Sequence, residues 1–366
     1  MEETADNTGF EIEQIVDLLI RCHTSGSFIR DPNPQIITRT ERGQLQLDES
    51  HLEKRSHADV AALTLAQLWP LMHGESTRRK IMAGQRYLRL RKMEGDVDEA
   101  LRSFTDNYVG RCFHDNCDFQ TLQVGSLIWH VRRDRLTDAH RPILEDPDRF
   151  LLPGAKLLKD SNRSTVAETP GQSILKRFNL KKVSNLLKNK FSRSRARQAF
   201  KRGYHLETLG IPTPCPIAYA EQEKLGWPYR SFLLQERLAD AVSLDEAFRK
   251  WDETDREMKR ASIARVGRIV GLLHDSGFAN RDLKATNLMV DDVGGTWVID
   301  LDGIRVSERV NAETRLKNLR RMTRDIPSYG ELSIRDRMLF LKSYVRCVQK
   351  GSAAQLFREL GQEEWR

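Results

Sequence analysis

From about residue 150 the apolar positions alternate in short runs before they settle into a period of three to four. Ala155–Lys159, Ser164–Glu168 and Ser173–Phe178 read as strands, with Pro170-Gly171 turning between the last two. Ile217–Ala220 and Ser231–Glu236 read as two more, separated by the turn-like Gly226-Trp227-Pro228. Between these groups Leu180, Val183, Leu186, Leu187 and Phe191 recur at helical spacing. They predict a helix that stops at Gly210, with Pro212 and Pro214 blocking its continuation. From Ser243 helices take over. Ile263, Val266, Ile269, Val270 and Leu273 form one apolar face of Arg256–His274, which ends at Gly277. Arg315–Met322 and Ser333–Val345 continue the helical period. Strands first and helices after predict an α+β chain of two unlike lobes, an antiparallel sheet over 150–238 and a helical lobe over 239–366. Upstream, Gly125–Val131 reads as an edge strand within a lead-in segment over 101–149, and residues 1–100 read as a mainly helical extension.

Composition narrows the class. The chain has 366 residues, 39% hydrophobic and 31% charged, which fits a globular protein of about two domains. No apolar run approaches the roughly 18 residues that span a bilayer. The acidic start, Met1-Glu2-Glu3-Thr4-Ala5-Asp6, predicts no export signal, and five scattered cysteines predict no disulfide scaffold. The expected address is cytoplasmic. The net charge of +8 is uneven: Lys176 to Arg202 carries +11 with no acid, and the rest of the chain sums to −3. Such a block is either a solvated helix face or an attractor of nucleic acid, phospholipid head groups or a phosphorylated substrate. Phe178 and Phe191 are its only aromatics before Phe200, which is thin for base stacking, so nucleic acid is not the expected partner.

The chemistry concentrates after the long helix, in Asn280-Arg-Asp-Leu-Lys-Ala-Thr-Asn287 and Trp297-Val-Ile-Asp-Leu-Asp-Gly303. Asp282 and Asn287 are five residues apart, and Asp300 follows eighteen after Asp282 at the end of an apolar strand. Phosphoryl transfer from ATP needs this set: a carboxylate for the attacking hydroxyl, and an amide and a second carboxylate for magnesium. A lysine from the sheet must grip the α- and β-phosphates, and Lys176 lies in the third strand of the preceding lobe.

At these residues the chain resembles the protein-kinase-like superfamily, and within it the lipopolysaccharide kinase family. The narrower likeness rests on Leu157-Leu-Lys-Asp-Ser161, Ile174-Leu-Lys-Arg-Phe178, Ser192-Arg-Ser-Arg-Ala-Arg197, Leu209-Gly-Ile-Pro-Thr-Pro214 and Arg281-Asp-Leu-Lys284. It covers roughly Val124 to the C-terminus. The resemblance implies a two-lobe kinase-like fold and ATP- and Mg²⁺-dependent phosphorylation of a Kdo or heptose hydroxyl of lipopolysaccharide inner core. It makes Asp282 the catalytic base and has Lys284 neutralise the γ-phosphate. Asn287 and Asp300 become the Mg²⁺ ligands, and Lys176 the α/β-phosphate ligand. Ser161, Asn162 and Ser164 would cover the phosphates from a loop without glycine, and the backbone from Gln235 to Leu238, including Glu236, would cup adenine. The implied partners are ATP and a lipid-linked or anionic glycolipid acceptor, with peripheral contact at the inner face of the cytoplasmic membrane.

Four departures keep other readings open. Asn280 replaces the usual histidine, and Asp302 the usual glycine; Asp302 is either a second carboxylate near the metal or a solvated acid. The helix glutamate expected to hold Lys176 is absent: Ala199 occupies its place, and Glu207, the helix's only acid, is the substitute or a plain surface residue. Only 66 residues follow Asp300, without Ala-Pro-Glu, which favours a small or lipid-linked acceptor over a peptide. The alternatives are a nucleotide- or lipid-binding pseudokinase and an atypical protein or small-molecule kinase. Cys112-Phe-His-Asp-Asn-Cys117 with His130 has no standard zinc spacing and reads as loop and packing residues.

Residues 15–55 echo 269–305. Ile15-Val-Asp-Leu-Leu19 parallels Ile269-Val-Gly-Leu-Leu273, Arg30-Asp31 parallels Arg281-Asp282, and Asp48 parallels Asp300. Residues 1–100 are therefore expected to be the tail of a degenerate kinase-like unit. Gln35 stands near the place of Asn287, and no nucleotide lobe precedes it, so no catalysis is expected there.

Overall fold

The structure is a computed structural model that describes residues 12–30, 32, 34–40, 44–54, 67–68, 71–72, 83–84, 86–87, 109–179, 194–224, 227–251, 255–307, 310–324, 332–348 and 352–360. The chain forms two compact units, Met1–Val109 with Thr208–Gly210, and Gly110–Glu207 with Ile211–Arg366.

In the first unit, α1 (Ile12–Thr24) turns one apolar face inward. Its Ile15, Val16 and Leu19 pack with Ile36, Leu45 and Tyr87. Four three-residue strands follow. β1 (Ser27–Ile29) pairs with β4 (Leu52–Lys54), and β2 (Ile37–Arg39) pairs with β3 (Leu45–Leu47), all antiparallel. The described residues of the expected helical extension thus add four short strands to α1, and strands of three residues are too short to display a period of two in the sequence.

The second unit is built on a seven-stranded antiparallel sheet. Its strands are β5 (Phe119–Val124), β6 (Leu127–Arg132), β7 (Leu157–Asp160), β8 (Ser164–Thr169), β9 (Ser173–Phe178), β10 (Pro216–Lys224) and β11 (Trp227–Glu236). They lie in the order β5-β6-β10-β11-β9-β8-β7. The edge expected at Gly125–Val131 is one strand further out, at β5. Pro228 belongs to β11 rather than to a turn, opposite Glu223 where the register shifts, a bulge that spares the ladder a missing N–H. Trp129, Leu175, Phe232 and Leu234 fill one face of the sheet, and Trp129 Nε1 donates to Leu144 O of α2 (Arg141–Glu145) at 3.1 Å. Strand alternation turns Lys176 to the face opposite Leu175.

The basic stretch continues as α3 (Arg195–Thr208); the apolar repeat from Leu180 to Phe191 lies outside the described residues. Beyond the sheet come the short strand β12 (Val242–Ser243) and the helices α4 (Leu244–Lys250), α5 (Arg256–Asp275), α6 (Ala312–Arg324), α7 (Ile334–Val348) and α8 (Ala353–Glu359). The longest, α5, lies against α7 through two glycines on one face. A Cβ at Gly267 would meet Phe340 O at 2.5 Å, and one at Gly271 would meet Cys347 Cβ and Tyr344 O at 2.7 Å. Among the described residues no helix is long and apolar enough to cross a membrane.

Candidate active site

Beyond α5 the chain makes β13 (Phe278–Asn280), a 3-10 turn at Ala285–Asn287 and the hairpin β14 (Leu288–Val290) to β15 (Thr296–Val298). A second 3-10 turn, Leu301–Gly303, leads into β16 (Ile304–Val306), which pairs back onto β13. Residues 281–287 and 299–303 are thereby held side by side. Ile299 N donates to Asn287 O at 2.9 Å, and Arg281 N to Gly303 O at 3.4 Å. The approach at Gly303 is close, since a Cβ there would lie 3.3 Å from Asn280 Oδ1.

Within this frame Asn280, which replaces the usual histidine, does a defined job. It is buried, and its Oδ1 accepts from Asp282 N at 2.9 Å, fixing the backbone under the candidate base. Asn287 is buried as well. Its Nδ2 donates to Asp282 O at 2.8 Å, so the amide oxygen is the atom that faces other duties. Lys284 Nζ lies 3.6 Å from Asp282 Oδ2, both partly exposed.

Asp300 has φ 58° and ψ 58°, the left-handed region that costs an L-residue about 1–2 kcal/mol. Its carboxylate explains why the conformation persists: Lys176 Nζ donates to Oδ1 at 2.5 Å across 124 residues of sequence. A hydrogen bond between charged groups contributes about 1.5–3 kcal/mol, which offsets the strain. The structure thus joins Lys176, on the sheet, to the strand end that carries Asp300 and to the loop that carries Asp282 and Asn287.

Glu207 does not serve Lys176. It pairs at 2.5 Å with Arg132, a buried guanidinium that also reaches Asp134 and the Cys215 thiol. The substitute role is corrected accordingly: the carboxylate partner of Lys176 is Asp300. Ala199 is buried, and Arg202, one turn on, donates from Nη1 to Leu301 O at 3.1 Å. Sequence reasoning passed over Arg202 as one more cation of the basic block. Its position three residues after Ala199, on the same helix face, was the available signal.

The turn that carries Ser161, Asn162 and Ser164 closes on itself. Ser161 N and Oγ both donate to Ser164 O, at 3.1 and 2.9 Å, while Ser161 Oγ accepts from Ser164 N at 3.3 Å. Asn162 is exposed at its tip. At the opposite end of the strands the central β11 stops at Glu236, whose N donates to Cys215 O and whose Oε2 accepts from Cys215 N. Leu238 follows, half-buried, beyond the strand. The side chain of Asp302 lies outside the described residues.

His274, at the end of α5, is a packing residue. Its Nδ1 lies 2.9 Å from Tyr344 Oη and its Nε2 3.4 Å from Asn318 Oδ1, so the neutral ring accepts from the phenol and donates to the amide. Burial lowers its pKa to about 4, and nearby Arg315 pushes the same way against the Asn318 hydrogen bond. The cysteine–histidine string does not converge. Cys112 is buried, with its thiol pushed up to about 12. Cys117 is exposed and accepts from Arg111, and His130 stacks on Tyr219 at 4.7 Å.

Comparison with known proteins bears on these residues directly. The model of the lipopolysaccharide kinase (Kdo/WaaP) family matches residues 162–344. A 3-deoxy-D-manno-octulosonic acid kinase of Xylella fastidiosa is 32% identical over 144 residues, 39% of this chain and 54% of the relative. One from Vibrio parahaemolyticus is 28% identical over 140 residues, 38% of this chain and 56% of the relative. The lipopolysaccharide core heptose(I) kinase WaaP of Pseudomonas aeruginosa is 29% identical over 173 residues, 45% of this chain and 64% of the relative. The chain thus spans little more than half the length of the relatives it matches.

Proposed function

Because the chain belongs to the lipopolysaccharide kinase (Kdo/WaaP) family, we propose that it transfers the γ-phosphoryl group of ATP to a Kdo or heptose hydroxyl of lipopolysaccharide inner core. The observation that carries this reading is the 2.5 Å contact between Lys176 and Asp300, which ties the sheet to the loop of Asp282 and Asn287. The same tie supports a two-lobe kinase-like arrangement of sheet and helices.

Asp282 accepts the proton of the attacking sugar hydroxyl as its oxygen bonds to the γ-phosphorus. The bond from that phosphorus to the β-phosphate oxygen breaks, and ADP departs. Asn280, through Asp282 N, and Asn287, through Asp282 O, hold the base in place from both sides of its backbone. Lys284, 3.6 Å from the Asp282 carboxylate, neutralises the transferred group. Lys176 grips the α- and β-phosphates. Asn287 and Asp300 offer an amide oxygen and a carboxylate, the hard donor set that suits Mg²⁺. That Asp300 Oδ1 already accepts from an ammonium supports its use as a cation ligand. The bound ion supplies charge that neutralises the phosphate oxygens.

Phosphate transfer from labelled ATP with Mg²⁺ tests the proposal, offered lipopolysaccharide extract and, separately, protein extract, with Asp282→Ala as control. Label in the glycolipid that disappears in the control upholds it, and label in protein alone overturns the acceptor. ATP binding without transfer overturns catalysis and leaves a nucleotide-binding regulator.

A further inference from the structure

The first unit repeats, element for element, the segment that carries Asp282 and Asp300. In both, a helix is followed by a strand, a 3-10 turn, a tight hairpin, a second 3-10 turn and a strand that pairs back on the first. The first unit runs α1, β1, Pro34–Ile36, β2–β3, Glu49–His51 and β4. The second runs α5, β13, Ala285–Asn287, β14–β15, Leu301–Gly303 and β16. Counterparts sit 251 residues apart from Ser27 and Phe278 through Leu47 and Val298, and 252 apart from Glu49 and Leu301 onward. The cross-links repeat too. Asp48 N donates to Ile36 O at 3.0 Å, where the inserted Ile299, one residue before Asp300, donates from N to Asn287 O at 2.9 Å; Arg30 N donates to His51 O, as Arg281 N does to Gly303 O. Each helix ends with a buried histidine whose Nδ1 meets a tyrosine hydroxyl and whose Nε2 meets a side-chain amide oxygen. These are His23 with Tyr87 at 2.6 Å and Gln67 at 2.7 Å, and His274 with Tyr344 and Asn318; both amides lie 44 residues beyond their histidine. A shared hairpin motif explains pairing but not two matched histidine clusters, since those residues come from elements outside the hairpin.

We infer that the described residues of 12–87 belong to a second copy of the catalytic segment, emptied of phosphoryl chemistry. The hairpin register puts Ile36, rather than the expected Gln35, at the place of Asn287. Ile36 is buried and has no donor oxygen on its side chain. Asp48, the counterpart of Asp300, has an ordinary φ of −65° and spends Oδ1 on Ser50 N and Oγ, at 2.9 and 2.7 Å. The described residues of the first unit therefore offer no second nucleotide site. Calorimetric titration with a non-hydrolysable ATP analogue and Mg²⁺ should give one site per chain, lost in Asp300→Asn and unchanged in Asp48→Asn. A second site, or weakened binding in Asp48→Asn, overturns the emptied copy. Independently of nucleotide, an experimental structure of the full chain should superpose residues 12–54 on 263–306 with the single insertion at Ile299. A different strand pairing in the first unit overturns the duplication.

A separate observation concerns β7, the outer edge of the sheet. Leu152, Leu157 and Leu158 are 56%, 37% and 57% exposed, and they are three of the seven large apolar residues exposed among the described residues. The register shift between Leu157 and Lys159 bulges Leu158 outward, so neighbouring leucines face solvent together. From Arg149 to Arg163 the chain carries four cations (Arg149, Lys156, Lys159 and Arg163) against one acid, Asp160, and of the four Lys156 pairs with Glu168 of β8 at 2.9 Å. Clustered apolar side chains among cations fit the interface of an anionic bilayer, and an uncovered strand edge is otherwise a liability. We propose that this edge seats on anionic lipid, two strand spacings or about 10 Å from the strand of Lys176. This deepens the glycolipid reading above and is tested apart from it. The full chain should sediment with phosphatidylglycerol-containing vesicles and not with phosphatidylcholine alone, and added salt should weaken binding. Leu157→Asp with Leu158→Asp should lower the bound fraction about tenfold or more, the scale of withholding one leucine from an apolar phase, with unchanged melting. Transfer to a deacylated, water-soluble core oligosaccharide should be unaffected. Wild-type chain that ignores anionic vesicles, or a variant that binds them as well as wild type, overturns the lipid seat. Conversion of a wild-type dimer to monomer by the same variant also overturns it, in favour of a second copy of the chain.

Discussion

Replacing Lys176 with Met keeps the length of the side chain and removes the ammonium from Asp300. The two side chains are 16% and 27% exposed, so the pair is neither a surface ion pair nor a fully dehydrated one. At 2.5 Å and an effective dielectric of about 20 the gross attraction is about 6–7 kcal/mol, most of which dehydration cancels. A net of about 2 kcal/mol is expected, within the range for hydrogen bonds between charged groups. Each single variant, Lys176→Met and Asp300→Asn, should then lower the melting temperature of the second unit by about 4–8 °C. Asn adopts the left-handed conformation readily, so Asp300→Asn removes charge and leaves the backbone at φ 58° undisturbed. The double variant should lose little more than either single one, giving a coupling near 2 kcal/mol in urea titrations followed by circular dichroism. Additive losses, with coupling under about 0.5 kcal/mol, would refute the pairing and with it the geometric argument for the site.

Asp282→Ala should lower phosphate transfer by about 10²–10⁴-fold, the usual weight of a general base, while the dissociation constant for Mg²⁺-ATP stays within a few-fold. Asn280→Ala removes the acceptor for Asp282 N and should lower kcat with little change in KM for ATP. An unchanged kcat would remove Asn280 from the positioning of the base. His274 should make stability depend on pH. Its folded pKa of about 4 lies below the ordinary 6.5, so its contribution is complete above about pH 6.5 and is lost as pH falls toward 4, up to about 3 kcal/mol. In His274→Phe that slope should flatten, as read by urea midpoints across the same range; an unaltered slope would assign the acid sensitivity elsewhere. Gly271→Ala should destabilise by about 1–3 kcal/mol, because the new methyl would meet Tyr344 O and Cys347 Cβ at 2.7 Å in a helix contact with no slack.

The segment from Asn280 to Asn287 stands out in the sequence because its candidate residues lie within eight positions of one another. The strands on either side of Pro170-Gly171 are legible for the same local reason. What the sequence hides is pairing at a distance. Nothing in the string says that Glu207 goes to Arg132, 75 residues away, or that Asp300 goes to Lys176. The glycine contact of α5 on α7 is equally hidden, since Gly267 and Gly271 look like weak points in a helix until the partner backbone is known. β5 escapes detection because Gln120, Thr121 and Gln123 interrupt its apolar alternation on an edge strand. The repeat is half legible: Asp48 and Arg30 are found by similarity, whereas Ile36 emerges only from the hairpin register.

The missing glutamate and the Lys176–Asp300 contact are two aspects of one arrangement. Helix α3 carries Arg195, Arg197, Lys201 and Arg202 and a single acid, and that acid is held by Arg132. A helix so charged has no carboxylate with which to fix the sheet lysine, so the lysine takes one from the candidate metal site. On the proposed function, Asp300 would hold the ion and Lys176 the phosphate oxygens when Mg²⁺ and ATP are bound, so each charge would keep a partner of opposite sign. Installing the carboxylate on the helix tests this reasoning. Ala199→Glu should compete for Lys176 and loosen its hold on Asp300. The coupling measured in the double-variant cycle should then shrink, while a cycle made in the Ala199→Gln background should keep it. Equal coupling in both backgrounds would mean that α3 does not govern where the lysine goes.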